Sequence, residues 1–87
     1  MKYKMTFLEF LNEAKTPFTS KDTNRILDII DKANGDRNQE NRLATSMANK
    51  SKDADKALAR GLAAEDNNYH NVAEIFFTRE KELRIVH

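Results

Sequence analysis

The sequence predicts an all-α domain, and three observations carry that expectation. The 87 residues hold only two glycines and one proline, too little turn chemistry for a β-fold. Alanine, leucine, lysine and glutamate, all strong helix formers, are plentiful. Apolar residues recur at i, i+3, i+4 and i+7, the period of a helix with one buried face. The expected architecture is a small helical bundle in a single domain, 1–87. Two short N-terminal helices pack on a long helix, 37–64, and a C-terminal helix, 69–84, folds back on it as a hairpin.

Phe7, Phe10, Leu11 and Ala14 mark the first helix. Pro17 ends it, because the residue before a proline is pushed out of helical geometry. The second helix starts at Thr19 or Ser20. Thr19 and Asp22 have the spacing of a capping box, with Asp in the place usually held by Glu or Gln. Ile26, Ile29, Ile30 and Ala33 form its apolar face, and Asn34-Gly35 supplies its stop. From Asp36 onward Gly61 is the only glycine and proline is absent, so one long helix is the simplest reading. A nick at Ser51, with Asp53 re-capping a second segment, is the alternative. Asp66-Asn67-Asn68 is the expected turn, since these side chains compete with helical hydrogen bonds. Tyr69, Val72, Ile75, Phe76 and Leu83 define the last helix. They also continue the seam of Leu58 and Leu62, so an uninterrupted helix through both segments stays open.

Composition narrows the class further. With 39% apolar and 33% charged residues, the chain is too apolar for a disordered segment and polar for a globular one. A domain this small buries only around 60% of its unfolded surface, so modest stability is expected, or stability lent by a partner. The absence of cysteine excludes a disulfide or a thiolate zinc site. Glu9 interrupts the only apolar run near the N-terminus, so neither a secretory signal nor a membrane span is expected, and the protein should be intracellular. The net charge of +1 is unevenly spread. Residues 36–60 carry six basic and four acidic side chains, whereas residues 61–87 carry three and five.

On a continuous helix at about 100° per residue, Arg42, Lys52, Lys56 and Arg60 fall within roughly 80° of one another. Leu43, Met47, Ala54 and Leu58 gather on the far side. With Asn49 between them, these cations are the candidate nucleic-acid-binding residues: a row of positive charge neutralises phosphates and leaves bases unread. Asp53 beside the row weakens it. No aromatic lies on that face to stack a base, so RNA or another phosphate polymer would be held through its backbone, with a protein partner completing the site. A merely solvated helix face is the competing reading. Leu8, Leu27 and Phe77 lie roughly 100° or more off their helices' stripes. They are the candidate partner or homodimer surface, unless the core wraps wide enough to cover them. His70, with Asp66 and Glu74 each four residues away, reads as a surface histidine among acids rather than a metal site. There is no Gly-rich phosphate loop, nucleophile elbow or zinc signature, so no catalysis, cofactor or metal is expected.

The segment Met5-Thr6-Phe7-Leu8-Glu9-Phe10-Leu11-Asn12-Glu13-Ala14 resembles the short leaders of head-internal proteins of T-even-type bacteriophages. Those leaders have a Lys-Thr-aromatic-x-Glu-Phe-Ile-x-Glu-Ala pattern, direct the protein into the prohead and are cut after the glutamate. The resemblance implies a small phage accessory protein and a candidate cleavage site between Glu13 and Ala14. Small helical phage proteins commonly act by binding, which makes the leading expectation a non-catalytic inhibitor or modulator. Its target would be a host defence, toxin or RNA-handling protein in the host cytoplasm. The alternatives are a head-internal protein packaged through its leader and a plain helical dimerisation module.

Overall fold

Thr19 opens the first helix described by the computed structural model, which covers residues 18–85. Its backbone is extended, and its N–H donates to the Asp22 carboxylate at 3.0 Å, the reach-back bond of a capping box. Helix α1 (Ser20–Ala33) buries Ile26, Ile29 and Ala33, with Ile30 packed beside them. It ends at Asn34 and Gly35, which have φ of 52° and 86°. Both are left-handed, a conformation that asparagine and glycine tolerate best.

Asp36 starts α2 (Arg37–Lys50), its carboxylate accepting the N–H groups of Asn38 and Gln39. The long helix expected over 37–64 is two helices. Ser51 and Asp53 are extended, and α3 (Ala54–Asp66) begins afresh after Asp53, whose carboxylate accepts the Asp55 N–H at 2.9 Å. Two forces hold the break. Asp53 satisfies a helix-start donor that a continuous helix would satisfy itself. Arg79, from the last helix, donates from Nε and Nη2 to the Ser51 carbonyl at 3.2 and 3.1 Å. That fork caps the end of α2 with a charged donor.

The second turn falls where the sequence places it. The Asn68 N–H donates to the Glu65 carbonyl and the Tyr69 N–H to the Ala64 carbonyl, with Asn68 left-handed at φ 67°. This is a Schellman stop with asparagine in the place glycine usually takes. Helix α4 (His70–Ile85) then folds back along α3, the most extensive contact between elements. It also packs on α2, while α1 packs on α2 and α3. The described residues therefore form an all-helical bundle in which each helix has two main neighbours. The expected helix around Phe7–Ala14 lies outside the described residues, as do Leu8, Glu13 and Ala14.

The core is built from small residues. Ile26, Ile29, Ala44, Ala48, Ala63, Ala64, Val72, Ala73 and Phe76 form one buried cluster, and Phe76 is the largest fully buried side chain. Alanine faces let helices approach closely, so each large side chain meets several neighbours. Cross-links sit at the rim. Asn71 Nδ2 donates to Glu40 and Asn41, joining α4 to α2. Arg84 bonds Glu80 and, at 3.0 Å, Asp55 of α3. Glu80 first, and then Asp55, hold the Arg84 guanidinium above its ordinary pKa.

Candidate nucleic-acid interface

The break at 51–53 decides where the cations lie. A helix wheel drawn through it joins Arg42 to Lys52, Lys56 and Arg60, but two helices with an extended link share no common phase. Arg42 and Asn49 stay together on the outer face of α2, lining a shallow cleft with Asn38, Asn41, Thr45 and Ser46. Lys52, Lys56 and Arg60 line a different groove, of about 500 Å³, between α1, the end of α2 and the start of α3. The expected single row of four is therefore split.

The groove gains what the row loses. Arg25 and Lys32 reach it from α1 and Lys50 from the last residue of α2, so six cations line it against two carboxylates, Asp28 and Asp53. Asp28 is paired with Lys32 at 3.3 Å, both well exposed. Asp53 is committed to the cap of α3. Among the described residues, Arg25, Lys50, Lys52, Lys56 and Arg60 form no ion pair. Five cations unpaired among the described residues focus a positive potential along one concave wall. Arg25, Lys56 and Arg60 also line a neighbouring cleft towards Thr19, where Lys21 joins them and Asp22, Asp53 and Asp55 offset most of the charge.

Two polar atoms in the groove wall lack partners. Ser51, only 6% exposed, has a buried Oγ with no hydrogen bond, and the half-buried Arg60 has a buried Nε in the same state. The Ser51 carbonyl accepts from Arg79, so its hydroxyl is the polar group of this residue left without a partner.

The other residues singled out from the sequence take separate places. Leu27 is 40% exposed on α1. Phe77 is packed inward against the core cluster. Its ring lies over Gly61 of α3, where a Cβ would stand 2.5 Å from Phe77 Cε1. Phe77 leaves the main stripe of α4 because a residue without a side chain opens a seat for it. His70 Nδ1 lies 3.0 Å from Glu65 Oε2 on the exposed rim. Helix α3 ends at Asp66, so the four-residue spacing from Asp66 to His70 does not run along one helix. Among the described residues no three His, Asp or Glu side chains converge, and no helix is long and apolar enough to cross a membrane.

Sequence reasoning missed Arg25, Lys32 and Lys50. Arg25 and Lys32 are seven apart on α1, which puts them on one face. That signal is visible, but a wheel for one helix says nothing of which helix faces it. Comparison of the chain with known protein families, characterised proteins and solved structures finds no match.

Proposed function

We propose that this chain is a non-catalytic binding protein that holds the phosphate backbone of a nucleic acid, RNA foremost, in the groove between α1, α2 and α3. The observation that carries the reading is the gathering of six cations, five from three helices and Lys52 from the link between α2 and α3, around one groove, five of the six without an ion pair among the described residues. Charges drawn together from separate elements cost stability through mutual repulsion, and a polyanion offsets that cost. In the setting implied by the N-terminal resemblance, the protein acts on a host RNA-handling or defence protein by occupying its RNA, with no chemistry of its own.

A short fluorescent single-stranded RNA titrated with the full chain tests this at about 50 and 200 mM salt, a range over which phosphate contacts weaken sharply. Salt-sensitive binding that is lost in a folded Lys52→Glu, Lys56→Glu, Arg60→Glu variant supports the reading. Undiminished binding by that variant, or none by the parent chain at low salt, refutes it.

A further inference from the structure

A groove that only tracks a phosphate chain has no use for an apolar floor, yet this one has it. Ile29 of α1 and Leu43 and Met47 of α2 line the same groove as the cations. Ile29 is buried, whereas Leu43 and Met47 are half-buried, packed on the core yet retaining surface towards the groove. We propose that the groove receives one unstacked nucleobase of a single strand against Leu43 and Met47, with flanking phosphates on Arg25, Lys56 and Arg60. This rests on the phosphate-binding reading above and names the form of the ligand.

Three observations converge on it. The volume of about 500 Å³ lies in the range of clefts that enclose a discrete ligand. The lining mixes apolar side chains with cations, which matches a nucleotide: a flat, weakly polar ring joined to a charged group. Duplex bases turn their flat faces to one another, so a duplex brings phosphates to the cations and nothing to the floor. The third observation is the pair of orphaned groups. Ser51 Oγ and Arg60 Nε are both buried and without partners in the groove wall. Buried polar groups are normally satisfied, and a small shift of the wall on binding would bring both donors to acceptors on a base edge. Met47 supplies a polarizable, adaptable surface, which grips a ring without demanding one base in particular. Contact of this kind reads no base edge and so tolerates sequence, as stacking on aromatic side chains does elsewhere.

The test compares two ligands of equal charge on the unaltered full chain. A short single-stranded RNA and an abasic ribose-phosphate strand of the same length are titrated side by side at low salt. The base-bearing strand should bind about three- to tenfold more tightly, the effect of taking part of a ring's apolar surface out of water against aliphatic side chains. Met47→Gln, checked for helicity by circular dichroism, should erase most of that advantage and leave the abasic affinity unchanged. Equal affinity for both strands overturns the base pocket and leaves the phosphate reading standing. Binding of neither strand removes both.

Discussion

Gly61 and Phe77 illustrate how one side chain's absence places another. A glycine inside a helix costs about 1 kcal/mol relative to alanine, so its presence at a buried position of α3 asks for a reason. The reason is the Phe77 ring, which lies where a Cβ would be. Gly61→Ala therefore sets two effects against each other: about 1 kcal/mol of helix propensity gained, and about 1–3 kcal/mol of crowding. We expect crowding to win, because the near atoms belong to a ring held against the core. Urea denaturation should show a net loss of up to about 2 kcal/mol. A gain in stability would mean that the ring swings aside freely.

The link between α2 and α3 is the element on which the site depends. Asp53 both caps α3 and adds a negative charge to the groove, and these roles can be separated. Asparagine caps about as well as aspartate, so Asp53→Asn should preserve stability and strengthen binding of a phosphate polymer. Asp53→Ala should strengthen binding too, but lower stability by about 1 kcal/mol. Unchanged affinity in both variants would mean that the ligand does not pass Asp53. Arg79 holds the other side of the break through its fork on the Ser51 carbonyl. Arg79→Ala should cost about 1–2 kcal/mol, and lysine should fail to restore it because it lacks the planar fork. Hydrogen exchange should then quicken first at the amides around Ser51–Ala57, as expected if the break is opened locally.

At the scale of the molecule, the positive field belongs to the fold and to no single helix. If about four cations meet phosphates, the slope of log affinity against log salt should lie near −3 for a single strand. Lys56→Glu should flatten that slope by about 0.7 or more. Arg42→Glu, on the outer face of α2, should leave it unchanged, although a continuous helix would make Arg42 a member of the same row. A strong loss in Arg42→Glu would move the binding track to that face.

What the sequence determined by itself is local. Thr19 with Asp22, Asn34-Gly35 and Asp66-Asn67-Asn68 act within a few residues of chain, so caps and turns are legible where they stand. The apolar period of α1 is legible for the same reason, since Ile26, Ile29 and Ala33 are related only by helix geometry. Only the tertiary structure decided between one helix and two over 37–64. The capping choices at Ser51 and Asp53 were visible as an alternative, but the bond that favours the break comes from Arg79, some 28 residues away. That single decision then relocated the candidate site. It removed Arg42 and Asn49 from the row, and it let α1 bring Arg25 and Lys32 to face Lys52, Lys56 and Arg60. Periodicity reports which residues share a face of one helix; which faces meet is set by packing among all of them, and no local signal encodes it.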